Sequence, residues 1–277
     1  MMMWPWRRQT RSTLDLLPMS ADGVLRVGLF EDGSPAELTL RNQSGVVVGG
    51  VPGSGKTAGM TVVALALLRA GAHLRIIDGK GGDDWGWCAP AATNFARDDI
   101  DSVHEMLLSI QTAMRRRLAS MRTDYGASNY WNVPAAERPP LEVVIIDECQ
   151  TFFDAKSVLG DKEAKQKAAE ITAIATDLVK KGRSAGYLVF VMTQKPTADS
   201  IPTALRDNCG VRICFRVATI EAAKAVLGDV PDGSPSPVDI PRSRVGGAVI
   251  GRDDGTLAMC RFAYIAENDA TRIAGTL

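Results

Sequence analysis

The sequence predicts an α/β fold in which a mostly parallel central sheet is flanked by helices, with antiparallel β additions at its edges. Three observations predict it. From Val46 onward, short apolar runs alternate with longer helical patterns, as expected of strands buried on both faces. The first unit, Val46 to Met60, passes from a valine run through a glycine-rich turn into a helix. Polar residues close several of the runs, Asp78, Asp147 and Thr193 among them, at the strand ends where parallel sheets bind ligands.

Along the chain, residues 1–22 read as a flexible lead-in and 23–277 as one domain. Short β patterns at 24–30 and 36–40 flank the turn Glu31-Asp32-Gly33-Ser34-Pro35 and make a small β extension over 23–44. Apolar runs at 45–49, 73–78, 142–147, 187–193 and 211–217 read as strands. Helical patterns lie between them at 57–70, 98–122, 162–181 and 219–227, the first stopping at Gly71. In the second, Val103, Met106, Leu107, Ile110, Met114, Leu118 and Met121 recur at three- and four-residue spacing and form a core stripe. Two stretches break the pattern: 123–140, with Tyr125, Gly126, Tyr130, Trp131 and three prolines, and the Pro/Gly/Ser-rich 228–245. Loops of that length are functional or disordered. β patterns at 246–251 and 256–262 and a short helix from Glu267 to Ala274 close the chain, and no internal repeat is visible.

Composition excludes some classes. Lys+Arg and Asp+Glu both number 32, so a wholly basic, histone-like mode of nucleic-acid binding is out, while a local basic surface is not. The five cysteines (Cys88, Cys149, Cys209, Cys214, Cys260) are dispersed and form no C-x-x-C pair, which reads as buried thiols of a cytoplasmic protein. No run approaches eighteen apolar residues, so no bilayer-spanning helix is expected. Trp4 and Trp6 at the start read either as a peripheral membrane anchor or as part of a loosely docked tail.

The stretch Gly50-Val51-Pro52-Gly53-Ser54-Gly55-Lys56-Thr57, followed by Ala58, fits the G-x-x-x-x-G-K-[ST] spacing of a nucleotide-binding P-loop. Its glycines allow successive backbone N–H groups to curl around a polyanion, and the next helix turns its positive end toward the phosphates. Gly50 to Ala58 are therefore expected to hold ATP, with Lys56 on the β- and γ-phosphates and the Thr57 hydroxyl on Mg²⁺. Asp147 and Glu148 close the run EVVIID and supply the second half of such a site: Asp147 for Mg²⁺ through water, Glu148 for the attacking water. Gln194 closes the next strand and either senses the γ-phosphate and water or merely turns the chain before Pro196. Asp78 and Lys80 either tie this edge to a neighbour or form an ordinary turn.

Together these blocks resemble the FtsK/SpoIIIE family of DNA-translocating ATPases, and more narrowly the short plasmid-transfer motors of actinomycetes, the TraB or TraSA type. The likeness covers about residues 24–277 and rests on ordered blocks: EDGSPAELTL before the loop, Ile77-Asp78-Gly79-Lys80, AMRRRLASMRTDYGASNY, Asp147-Glu148, Lys181-Gly182-Arg183-Ser184-Ala185-Gly186, Thr193-Gln194-Lys195-Pro196, and Asn208, Arg212, Ile213, Phe215 and Val217. Lys195 stands where the family has arginine, keeping charge but losing bidentate geometry. The resemblance implies a RecA-like P-loop NTPase working as a hexameric ring around double-stranded DNA. It further implies an arginine acting in trans on the neighbouring site, Arg183 or Arg212, with Arg206 third; each reads otherwise as a surface ion-pair partner.

DNA contacts are less legible. Arg115, Arg116 and Arg117 are consecutive on a helix and cannot share one face, so some meet solvent or a neighbouring subunit. The loop at 154–167, with Lys156, Lys162, Lys165 and Lys167, and the segment 195–206 are candidate pore elements. The family's membrane helices and winged-helix module are not seen here, so a membrane-bound or DNA-loading partner protein is expected. The leading expectation is a DNA-stimulated ATPase in plasmid or integrative-element transfer or chromosome segregation. The alternatives are a protein-moving secretion ATPase, a type IV coupling-type ATPase, and an ATP-gated adaptor or replication factor without translocation.

Overall fold

A computed structural model describes residues 17–153, 162–197, 200–252 and 254–277. In chain order it builds β1 (Val24–Phe30), β2 (Pro35–Thr39), β3 (Gly45–Gly49), α1 (Lys56–Arg69), β4 (His73–Asp78), β5 (Asn94–Ala96), α2 (Ile100–Tyr125), β6 (Glu142–Asp147) and α3 (Gln150–Phe153). It continues with α4 (Lys162–Ala185), β7 (Tyr187–Thr193), α5 (Thr203–Arg206), β8 (Val211–Phe215), α6 (Ile220–Leu227), β9 (Gly247–Gly251), β10 (Leu257–Phe262) and α7 (Glu267–Ala274). All ten strands share one sheet, ordered β2-β1-β10-β9-β8-β3-β7-β6-β4-β5.

The six strands from β8 to β5 are mutually parallel, and β9, β10, β1 and β2 continue the sheet antiparallel beyond β8. The expected antiparallel additions thus all lie on one edge. The two-residue side-chain period sorts each central strand into two cores. Val46, Val48, Leu188, Phe190 and Met192 join the core on the α1 side, whereas Val47, Val189 and Val191 join the one under α2, α4 and α6. The parallel strands read as unbroken apolar runs because both faces are covered.

Helix α2 begins where the Asp99 carboxylate accepts the Ser102 amide at 3.0 Å, and it ends at Gly126 with φ 70°. Its stripe is buried at Val103, Leu107, Ile110, Met114 and Met121, while Met106 and Leu118 are partly buried. Helix α4 runs four residues past the expected 181, so Lys181-Gly182-Arg183 belongs to its last turn.

Of the two irregular stretches, 123–140 is packed: Tyr130 and Trp131 are buried, and the Arg138 guanidinium lies over both rings. The stretch 228–245 buries Ile240 and delivers Gly246, whose amide donates to the Ser54 carbonyl. Residues 17–22 follow the body, with the Met19 amide donating to Ala66 and the Ala21 carbonyl accepting from Arg138. The remaining lead-in, with Trp4 and Trp6, lies outside the described residues, as does Lys156. All five cysteines are buried free thiols, and burial pushes Cys88, Cys209 and Cys260 up to about 12. Among the described residues no helix is long and apolar enough to cross a membrane.

Candidate nucleotide site

Strand β3 ends at Gly49, and the chain turns through Gly50–Gly55 into α1. Two positions in the turn need left-handed backbone: Gly53 at φ 73° and Gly55, the N-cap of α1, at φ 93°. A Cβ on Gly55 would lie 2.5 Å from the Gly246 nitrogen, so the β9 approach packs against the turn. Neighbouring strands fix the turn's entry: the Gly50 amide donates to the Thr193 carbonyl, and the Val51 amide to the Arg216 carbonyl. The turn's residues Val51–Ala58 line a cleft of about 260 Å³ together with Lys80, Asp84 and Gln194. A larger hollow of about 530 Å³ runs along α2 at Leu108 and Arg116 and holds none of these residues.

Lys56 opens α1 with its side chain only 3% exposed, and its Nζ donates to Asp147 Oδ1 at 2.5 Å. Asp147 closes β6, beside Asp78 at the end of β4. Its Oδ1 also accepts the Glu148 amide at 2.9 Å, and its Oδ2 accepts the Trp85 indole N–H at 3.0 Å. Glu148 takes the left-handed region at φ 51°, rare for a residue with a side chain. Its carboxylate Oε2 accepts the Gln194 amide at 3.0 Å, joining the β6 and β7 ends. Thr57 is half-buried in the first turn of α1.

Lys56, Thr57, Asp147, Glu148 and Gln194 are therefore brought together. Asp78 sits behind them, 1% exposed; its Oδ1 accepts the Lys80 amide while its Oδ2 has no partner among the described residues. Burial, with a lesser push from the Asp147 charge, raises the Asp78 carboxyl above its ordinary value against the Lys80 amide. Lys80 pairs with Asp84 at 2.6 Å, which raises its ammonium's pKa. Asp78 makes an ordinary turn, its Oδ1 accepting the Lys80 amide and its carbonyl the Gly81 amide, while Lys80 and Asp84 line the cleft with the loop.

The arginines sit elsewhere. Arg183 is exposed in the last turn of α4, ahead of β7, and Arg212 lies at the start of β8. The loop lies at the carboxyl ends of β3, β7 and β8; Arg183 precedes the amino end of the seven-residue β7, about 20 Å away along the strand, whereas Arg212, in register with Val47, lies about 10 Å back from the loop. Arg212 reaches the Val226 and Arg206 carbonyls at 3.4 and 3.5 Å, and Arg206 pairs with Asp207 at 3.2 Å. The arginine run diverges as helix geometry requires: Arg115 pairs with Asp177, Arg116 lines the α2 hollow, and Arg117 pairs with Glu142. Of the candidate pore lysines, Lys162 and Lys165 are exposed on α4 and Lys167 pairs with Asp101 and Glu163.

The donor set fits a magnesium-nucleotide. Gly53 and Gly55 take the left-handed backbone that turns the chain into α1 without a Cβ, and Ser54 Oγ is buried with no partner among the described residues. Thr57 and Asp147 offer hard oxygen donors, and no cluster of three metal-binding side chains occurs among the described residues; Mg²⁺ in such sites takes few protein ligands and completes its shell with phosphate and water. Asp84 and Trp85 escaped the sequence reading. A carboxylate four residues after Lys80 was the available signal for the first; nothing local marked the second.

No protein-family model matches the chain. It is 27% identical over 254 residues to a sporulation regulatory protein of Streptomyces azureus, covering 91% of this chain and 78% of that protein. It is 27% identical over 215 residues to the DNA translocase FtsK of Helicobacter pylori, covering 74% of this chain and only 24% of that one. The resemblance to the FtsK/SpoIIIE translocases read from the motifs is thus a likeness of sequence across most of the chain. Among solved structures, the conjugation coupling protein TcpA, in its monomer form with ATPγS, matches with a TM-score of 0.75 at 22% identity, covering 94% of this chain and 73% of that one. The fold is that of a P-loop ATPase.

Proposed function

We propose that the chain is an ATPase motor that translocates double-stranded DNA as a ring of identical subunits. One observation carries the ATPase reading: Lys56, Asp147, Glu148 and Gln194 converge at the carboxyl ends of three adjacent parallel strands around a glycine turn. Binding of ATP draws Lys56 from Asp147 onto the β- and γ-phosphates, while the turn's amides and the α1 dipole hold the rest of the polyphosphate. Thr57 and, through water, Asp147 would hold Mg²⁺, which would supply charge neutralisation at the phosphates. Glu148 takes the proton of the attacking water, and Gln194, whose backbone N–H donates to the Glu148 carboxylate, reports the state of the site through its side chain.

The DNA reading rests on the likeness to translocases named as such, and the ring reading on the position of the arginines. Neither Arg183 nor Arg212 lines the cleft, so a transition-state arginine from this pair comes from the adjacent subunit. The stretches 154–167 and 195–206, of which 154–161 and 198–199 lie outside the described residues, are the proposed DNA-facing elements, binding phosphates without sequence preference. The proposed cellular setting is plasmid or integrative-element transfer or chromosome segregation.

Steady-state ATP hydrolysis with and without linear duplex DNA, on a sample shown to be oligomeric, tests this reading. Turnover stimulated by duplex supports it. Turnover indifferent to DNA but raised by peptide substrates overturns it in favour of a protein-moving ATPase.

A further inference from the structure

We infer that Trp85 is a positioning residue for Asp147, holding that carboxylate in register for Mg²⁺ once Lys56 has left it. The inference rests on the proposed role of Asp147. The chain leaves β4 at Asp78, which is paired in register with Asp147, and seven residues later returns Trp85 to the same strand end. There the indole Nε1–H donates to Asp147 Oδ2 at 3.0 Å, with the ring fully buried.

Three donors fix the Asp147 carboxylate: Lys56 and the Glu148 amide on Oδ1, and Trp85 on Oδ2. Lys56 serves two ends, since in the proposed site its ammonium also reaches the β- and γ-phosphates. When it moves, a carboxylate held only at Oδ1 is free to swing about its Cβ–Cγ bond. The indole on the opposite oxygen prevents this. Oδ2 stays committed to Trp85, and Oδ1 presents a fixed lone pair to the metal's shell. Groups that orient a metal-binding side chain in this way govern metal affinity without touching the metal.

Packing alone does not account for the tryptophan. Trp87, two residues on and 6.2 Å from Trp85 between ring centroids, is buried too, yet its indole nitrogen has no partner among the described residues. The pair therefore supplies a matched control: Trp85→Phe and Trp87→Phe remove the same indole from one aromatic cluster, and only the first removes a hydrogen bond to the site.

The experiment is a titration of Mg²⁺ against binding of a fluorescent, slowly hydrolysed ATP analogue to the full chain. Trp85→Phe is expected to raise the Mg²⁺ midpoint by about tenfold while leaving analogue binding in EDTA unchanged. Trp87→Phe is expected to leave both unchanged. Equal midpoints in Trp85→Phe and the unmodified chain, or equal shifts in both variants, overturn the inference. If the unmodified chain shows no Mg²⁺ dependence at all, the metal role of Asp147 falls first and this inference with it. Should Trp85→Phe fail to fold, the assigned Trp85 indole N–H resonance of the ¹⁵N-labelled chain decides. It must move on Asp147→Asn substitution, while that of Trp87 stays; no movement overturns the inference.

Discussion

Lys56 and Asp147 lie 91 residues apart in sequence and share a 2.5 Å ion pair with both side chains buried. An ammonium and a carboxylate so far from water attract strongly, and each leaves the other a costly unpaired charge if removed. The pair holds the glycine turn against the end of β6, so the site is assembled before any ligand arrives. Both partners have second tasks on the nucleotide, and binding must trade one set of contacts for another.

Lys56→Ala is expected to abolish ATP binding, with affinity falling at least a hundredfold, since the γ-phosphate loses its charged donor. Asp147 keeps the Trp85 and Glu148 donors, so the chain still folds, but its buried charge loses its partner and stability falls by about 3 kcal/mol. Calorimetric titration with ATP, paired with a thermal melt, checks both halves.

Glu148→Gln is expected to bind ATP normally and turn it over about 10²–10⁴ times more slowly, the usual worth of a positioned base. The amide oxygen still accepts from Gln194, so the joint between β6 and β7 survives. Single-turnover hydrolysis of bound ATP separates chemistry from binding, and a normal rate would remove the base assignment.

Gly55→Ala is expected to cost about 1–3 kcal/mol of stability, because φ is 93° there and the new methyl meets the Gly246 backbone. Denaturant melts report the loss. Gly53→Ala, also left-handed but with open space around it, is expected to lose less.

Glu142 gives the fold a pH dependence. Arg117 at 2.8 Å, His73 at 3.1 Å and Arg75 surround its carboxylate at the start of β6. Burial alone would raise its pKa, but the Arg75 hydrogen bond and the charges of Arg75 and Arg117 outweigh burial and lower it below 4.5. The folded chain thus binds this proton less readily than the unfolded one. The contribution is complete above about pH 4.5 and is lost as pH falls through the lower folded value. Glu142→Gln is expected to cost about 3 kcal/mol at pH 7 by stranding two guanidiniums, and to flatten the acid limb of stability measured in urea from pH 7 to 3.

Arg183→Ala is expected to leave stability and ATP affinity unchanged, since the side chain is exposed and no hydrogen bond or ion pair holds it among the described residues. If it acts on the adjacent subunit, turnover falls about 10³-fold. Rings that mix Arg183→Ala with Glu148→Gln subunits then regain activity at sites pairing an intact Glu148 with a neighbour's intact Arg183. Unchanged turnover passes the role to Arg212.

Local features were legible in the residues alone. Gly53 and Gly55 declare a turn that only glycine tolerates, the valine run of β3 declares a strand buried on both faces, and the stripe from Val103 to Met121 declares the face of α2. Those signals depend on backbone dihedrals and side-chain periodicity, which neighbours in sequence settle. The grouping of Lys56, Asp147, Glu148 and Gln194 was legible because each closes or follows a strand of one parallel sheet. Tertiary structure alone decided the rest. It set β9, β10, β1 and β2 on a single edge, spent Arg117 on a buried glutamate, left Arg183 on the last turn of α4 and Arg212 inside β8, away from the cleft, and brought Trp85 to Asp147. Periodicity says that a face is buried but not against what. The partner is chosen by contacts between residues tens of positions apart, where packing and charge are settled only once the sheet has formed.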